Sequence, residues 1–285
     1  MPSAAIIDTH LHLIYRDRLS YPWLARVSAL DRDARYERYA EEAGRCGVTG
    51  ALHMEVDVAE PDIEAETRNV EDLKLEGGVL IRGAISACRP ENPDFPAFLE
   101  RALGNPFVKG FRRILHDVPD DVSERPLFRE NLRRLSGTGR PFDLCVRPDQ
   151  LDRAIALADA CPDAQFVLDH CGAQSVTPAV KPLWRARIAE IAKRPNVAAK
   201  ISGVVAYVDP KTWALDDIRP YVETVIERFG WDRVVWGSDW PVSTLTASLS
   251  VWLAATHALT RAASADEREK LFAANARRLW RIEGA

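Results

Sequence analysis

Two histidines separated by a single residue stand near the start of the chain, in Ile6-Ile7-Asp8-Thr9-His10-Leu11-His12. Alternate residues of an extended strand point to one side, so a strand here aims His10 and His12 at one point with Asp8 beneath them. Paired imidazoles suit a metal ion, a proton-transfer site or an anionic transition state, whereas the same pair on a solvated strand would do no chemistry. His170 closes the run Phe166-Val167-Leu168-Asp169, and Asp239 lies in Val234-Val235-Trp236-Gly237-Ser238-Asp239-Trp240-Pro241. There the glycine permits close backbone approach and the proline stops the strand. A carboxylate buried between aromatic rings takes a partner or a raised pKa; the bland alternative is an aspartate capping the next loop.

Other candidates carry charge in apolar runs. Lys200 interrupts Val197-Ala198-Ala199-Lys200-Ile201, and a buried charge costs several kcal/mol unless paired. Arg112 and Arg113 are adjacent, so strand alternation sends them to opposite faces. Arg147 offers a bidentate partner for a substrate carboxylate. In His53-Met54-Glu55 either end could line a pocket, with packing the favoured role for His53, while His116 and His257 read as surface or loop residues. Cys145 and Cys171 stand where a nucleophile could, but read as ordinary buried thiols, and no Gly-x-Ser-x-Gly elbow is present.

Elements must bring these residues together. Short apolar or β-branched runs alternate with amphipathic stretches along the whole chain. Runs are expected at 5–12, 50–56, 79–85, 108–115, 142–146, 165–170, 197–201 and 233–236. Helices are expected at 34–47, 63–76, 96–103, 127–135, 151–160, 182–192, 221–229 and 247–259, with an extra one at 265–280. Eight βα units in one chain of 285 residues predict a single α/β domain over 1–285, a closed (β/α)8 barrel with one extra C-terminal helix. The structural alternative is a doubly wound open sheet; no Gly-x-Gly-x-x-Gly turn follows a run, which disfavours its dinucleotide-binding form. Barrel chemistry sits at the C-terminal ends of the strands, where His10, His12, His170 and Asp239 all fall. An insert after the first run, with Tyr15, Arg16, Tyr21 and Trp23, is expected to shape the pocket.

Composition narrows the classes. A net charge of −4 argues against a generic nucleic-acid binder. No long uncharged apolar run predicts a membrane span, and no signal peptide is expected. Five cysteines without a CxxC pair read as reduced thiols of a cytoplasmic protein. The partner expected is a small molecule, with neither nucleic acid nor membrane, and no motif sets an oligomeric state.

Taken in order, Asp8-Thr9-His10-Leu11-His12, Lys109-Gly110-Phe111-Arg112, Leu168-Asp169-His170-Cys171-Gly172, Lys200-Ile201-Ser202-Gly203 and Trp236-Gly237-Ser238-Asp239-Trp240-Pro241 resemble the lactonase branch of the amidohydrolase superfamily. The resemblance covers nearly the whole chain and is specific for the branch, not for a substrate. It implies that Asp239 is the general base, that His10, His12 and His170 polarise the carbonyl, orient water or hold a metal, and that Arg112 contacts substrate. Metal-dependent members carry a further histidine on strand five and, in binuclear cases, a bridging Lys or Glu on strand four. Here Phe142-Asp143-Leu144-Cys145-Val146 has no histidine and the fourth run offers arginines. A two-metal centre is therefore not expected. The preferred expectation is hydrolysis of a carboxylated or sugar-derived lactone with no cofactor required. Arg112, Arg113, Arg147, Lys200 and Trp23 would serve the substrate. The alternatives are a single Zn held by His10, His12, His170 and Asp239, a metal-dependent nonoxidative decarboxylase on the same barrel, and a non-catalytic metabolite-binding barrel.

Overall fold

A computed structural model describes residues 5–174 and 180–283. Eight parallel strands run in sequence order: β1 (Ile6–Leu11), β2 (Val48–Met54), β3 (Ile81–Ala87), β4 (Val108–Ile114), β5 (Phe142–Cys145), β6 (Phe166–Leu168), β7 (Val197–Ile201) and β8 (Val234–Trp236). The ends meet where Leu11 bridges Trp240 in parallel, Asp239 N–H donates to His10 O at 2.8 Å and His12 N–H donates to Trp240 O at 2.8 Å. The expected (β/α)8 barrel is therefore the architecture. The strands are mostly buried on both faces, which is why they read as largely apolar runs, broken where a charge serves the barrel interior.

Helices α1 (Tyr36–Arg45), α2 (Ile63–Leu75), α3 (Phe95–Gly104), α4 (Pro126–Arg133), α5 (Leu151–Ala160), α6 (Lys181–Ile191), α7 (Leu215–Phe229) and α8 (Leu249–Leu259) alternate with the strands. A large apolar layer fills the space between strands and helices. A smaller one occupies the barrel interior: Ile7, Leu52, Met54, Ile85, Val167, Ala198 and Val235 pack with Ala273, Ala276, Leu279, Trp280 and Ile282. The extra C-terminal segment thus plugs the floor of the barrel. It comprises α9 (Ala265–Glu269), a wide turn at 270–274 and α10 (Asn275–Trp280). Among the described residues no helix is long and apolar enough to cross a membrane, and all five cysteines are free.

Most boundaries shift by one or two residues from the sequence expectation, and two shift in ways that matter. The sixth strand stops at Leu168 instead of reaching His170, because His170 (φ 54°) and Cys171 (φ 57°) turn into the left-handed region. Helix α7 begins at Leu215, six residues before the expected start, and carries Pro220 inside it. Proline in an early turn removes one hydrogen bond without ending the helix.

Candidate active site

Strict alternation would put Asp8, His10 and His12 on one side, and β1 departs from it. Asp8 pairs with Ala51 while Leu11 pairs with His53, so β1 spends one more residue than β2 between those points. Such a bulge re-aims the side chains that follow it. Asp8 therefore turns away from the pocket. It accepts hydrogen bonds from Tyr39 Oη of α1 (2.8 Å), His10 N–H (3.0 Å) and Ser238 N–H (2.8 Å). It fastens β1 to β8 instead of sitting beneath the imidazoles. His10 and His12 do converge, with Nε2 atoms 3.2 Å apart. His12 Nδ1 lies 2.9 Å from Met54 O. A carbonyl only accepts, so His12 carries its proton on Nδ1 and presents a bare Nε2.

Asp239 and His170 reach the same point from β8 and β6, and both have left-handed backbones (φ 56° and 54°). Such conformations cost of order 1–3 kcal/mol each for non-glycine residues and concentrate at functional sites. Two glycines make room. A Cβ at Gly203 (φ 63°) would lie 2.2 Å from His170 Nδ1 and 2.9 Å from Asp239 Oδ2, and one at Gly237 would lie 2.6 Å from His10 Cβ. His170 Nδ1 is 3.0 Å from Ser202 Oγ of the segment after β7. Asp239 Oδ1 lies 3.4 Å from His12 Nε2 and 3.6 Å from His10 Nε2, and its Oδ2 has no hydrogen-bond partner. Burial pushes the Asp239 carboxyl up to about 6, against the charges of His170 and Arg112. Burial, and then the Arg112 charge, pull His12 down to about 3, and burial also lowers His10 and His170, so all three imidazoles are neutral.

Beneath them lies a buried ionic layer. Lys200 Nζ donates to Asp143 Oδ1 (2.5 Å), pairs its charge with Asp169 Oδ1 (2.9 Å) and lies 3.2 Å from His10 Nδ1. Burial would raise Asp169, but Lys200 and His10 outweigh it and hold the carboxyl well below its usual range. Burial, opposed by Lys200 and reinforced by Asp169, lifts Asp143 to about 8. Arg112 donates Nε to Glu55 Oε1 (2.6 Å), Nη2 to Glu55 O (2.6 Å) and Nη1 to Asp169 Oδ2 (3.4 Å), with Nη1 also 3.3 Å from His10 Nε2.

These groups form the floor of a cavity of about 420 Å³, lined by His12, Arg112, His170 and Asp239 and walled by Trp23, Val27, Leu30, Val56, Ile114, Tyr207, Val242 and Leu245. A second cavity of about 500 Å³ opens beside α2 and α3, lined by residues such as Glu64, Arg68, Phe98 and Arg101. None of the barrel-end histidines reaches it, so the chemistry belongs to the first.

Of the residues expected to serve a substrate, Arg112 and Trp23 line the cavity. Three do not. Arg113 points to the other face of β4 and pairs with Glu91 (2.7 Å). Arg147 is held at the rim by Asp149, Asp120 and His116 O. Lys200 is sealed below the cavity by the two carboxylates that pair it. His53 lies between β2 and α2 against Glu66 (3.3 Å), leaving Glu55 to serve the site. His116 is a correction in the other direction: it lines the cavity, 3.4 Å from Cys145 Sγ, and burial lowers it to about 4. Burial raises the Cys145 and Cys171 thiols, leaving both unactivated. Sequence reasoning passed over Asp143, Gln174 and Tyr207. Asp143 had a signal, a carboxylate in the apolar run Phe142-Asp143-Leu144-Cys145 two strands from a buried lysine.

A zinc ion tests well against the donors. His10 Nε2, His12 Nε2 and Asp239 Oδ1 are separated by 3.2, 3.4 and 3.6 Å, close to the spacing of about 3.3 Å that tetrahedral bonds of about 2.0–2.1 Å require. His10 and Asp239 also lie within metal-ligating reach of His170.

Residues 7–282 match the model of the amidohydrolase family. The chain is 28% identical to an uncharacterized protein of Sinorhizobium fredii, over 99% of this chain and 100% of that protein. It is 30% identical to an L-fucono-1,5-lactonase of Burkholderia ambifaria over 68% of each. An amidohydrolase from Burkholderia multivorans, solved with bound zinc, aligns with a TM-score of 0.88 at 24% identity, covering 98% of this chain and 100% of that one.

Proposed function

The chain belongs to the amidohydrolase family, and from that premise we propose that it hydrolyses a small lactone with Asp239 as the general base. One observation carries this reading: a buried carboxylate, raised to about 6, lines the cavity with one oxygen unpartnered among three neutral imidazoles. A base poised just below neutral pH is ionised and still proton-hungry.

In the proposed reaction Asp239 takes a proton from water as the water oxygen attacks the lactone carbonyl. His12, with its bare Nε2, accepts the second water hydrogen and orients the nucleophile. Imidazole N–H donors and the Arg112 charge offset the developing oxyanion, an effect of roughly 3–4 kcal/mol per well-placed donor. The ring C–O bond then breaks, the alkoxide recovers the proton from Asp239, and a hydroxy acid results. A zinc ion on His10, His12 and Asp239 would add Lewis-acid polarisation of the carbonyl when bound.

The substrate class favoured is neutral and sugar-derived, in keeping with the sugar-acid lactonase among the relatives, and not carboxylated. Among the described residues each arginine at the cavity is already engaged, Arg112 by Glu55 and Asp169 and Arg26 by Asp117 (2.5 Å). A substrate carboxylate would meet no free bidentate partner. The test is an indicator-based hydrolysis screen of sugar lactones against pyrone carboxylates. Asp239→Asn should lose about 10²–10⁴-fold in kcat, and near-normal turnover by that variant would sink the proposal. The second reading, metal-dependent decarboxylation, draws on the zinc-compatible donor spacing. It predicts stoichiometric zinc by elemental analysis, activity abolished by chelator and CO₂ release from an aromatic or unsaturated acid.

A further inference from the structure

Lys200 is a charged side chain with no access to the cavity, and its surroundings define its work. An ammonium has three N–H donors and no lone pair. Asp143 Oδ1 from β5 accepts from it at 2.5 Å, Asp169 Oδ1 from the end of β6 pairs with its charge at 2.9 Å, and His10 Nδ1 from β1 lies 3.2 Å away. The Trp280 ring lies beneath it, 5.5 Å from Nζ to centroid. The ammonium only donates, so its contact with His10 is a hydrogen bond only if Nδ1 accepts. Neutral His10 then carries its single proton on Nε2, the nitrogen that faces His12 Nε2 (3.2 Å) and Asp239 Oδ1 (3.6 Å); Arg112 Nη1, a donor 3.3 Å from the same nitrogen, gives its hydrogen bond to Asp169 Oδ2 (3.4 Å) instead. His12 is able to receive that proton as a hydrogen bond, because its own sits on Nδ1 toward Met54 O.

We infer that Lys200 is a positioning residue that fixes the tautomer of His10, making His10 an N–H donor to the lactone carbonyl and withholding the lone pair that a metal would need. The inference rests on the lactone reading and deepens it. A rival arrangement is built into the same geometry. Asp169 Oδ1 lies 3.5 Å from His10 Nδ1, so once the ammonium is gone the carboxylate accepts a proton from Nδ1 and Nε2 becomes bare. His10 Nε2, His12 Nε2 and Asp239 Oδ1 then form a complete ligand face. Which ring nitrogen is protonated is set by what the other one bonds, and here the choice separates an oxyanion donor from a zinc ligand.

Long-range ¹H–¹⁵N correlation spectra of histidine-labelled protein test this, with the His10 signals identified by their loss in His10→Gln. The wild type should show His10 protonated on Nε2. Wild-type His10 protonated on Nδ1 would overturn the inference, and this measurement needs no variant to fold. Lys200→Met and the charge-compensated Lys200→Met/Asp143→Asn should move the proton to Nδ1. They should lower kcat by about 10²-fold or more with KM changed less than about threefold, and bind zinc more tightly than the wild type in chelator competition. An unchanged tautomer, or unchanged kcat, in a folded variant would refute the role. Failure of this inference is separable from failure of the lactone reading, since Asp239→Asn activity on lactones decides the latter whatever state His10 adopts.

Discussion

As the proposed general base, Asp239 would couple acidity to both rate and stability. Its base form is the carboxylate and its pKa stands near 6, so kcat/KM should be level above about pH 7 and fall about tenfold per unit below 6; a profile flat from pH 5 to 8 would remove Asp239 as the base. The linkage to stability has a definite sign. The folded carboxyl binds its proton more tightly than the unfolded one near 3.9, so the penalty of burying the charge is absent below about pH 4 and complete above about pH 6. A rise of about two units is worth about 3 kcal/mol. Asp239→Asn should therefore unfold at higher denaturant than the wild type at pH 7.5 and lose that advantage at pH 4. Arg112 is the opposite case. Buried with Glu55 at 2.6 Å, it is expected to lose about 3–5 kcal/mol as Arg112→Met, and Arg112→Met/Glu55→Gln should recover much of this in chemical denaturation.

At the scale of elements the site depends on departures from ideal strands. Alternation made His10 and His12 legible as a pair, but the register shift between Asp8 and Leu11 made it misplace Asp8, which lies before it. No letter in Asp8-Thr9-His10 announces a bulge; it arises because β1 must reach β2 on one side and Ser238 on the other. The strand order and nearly every helix were readable, since strands mostly buried on both faces leave largely apolar runs. The end of β6 was not, since left-handed His170 is held by Ser202 and the space left by Gly203, both contributed by the next strand's loop. Candidate charges were likewise legible as positions and not as pairs. Lys200 stood out as a buried cation, yet only the barrel brings Asp143 and Asp169 to it. Gly203→Ala tests the local argument: with φ at 63° and His170 Nδ1 2.2 Å from the added carbon, stability should drop by about 1–3 kcal/mol and kcat should fall, measured by denaturant melts and lactone turnover.

Across the whole molecule, both ends of the barrel matter. Trp280 is fully buried at the floor with Leu279, Ala276 and Ile282, and Trp280→Ala should cost about 3–5 kcal/mol by chemical denaturation. The closed floor also gives the reaction a direction. On the proposed lactone reading, substrate and product would share one opening, and ring opening would convert a neutral guest into an anion. That anion finds Asp57 and Asp117 along the walls and Arg26 already occupied by Asp117. On the proposed lactone reading, the wall carboxylates would oppose retention of the hydroxy acid, since Arg112 at the floor is already paired with Glu55 and Asp169. Product inhibition should be weak, with an inhibition constant at least about tenfold above KM, the equivalent of about 1.4 kcal/mol, in progress-curve analysis. On the proposed reading the plugged barrel would work as an electrostatic one-way valve, in which the charge created by catalysis clears the chamber for the next turnover.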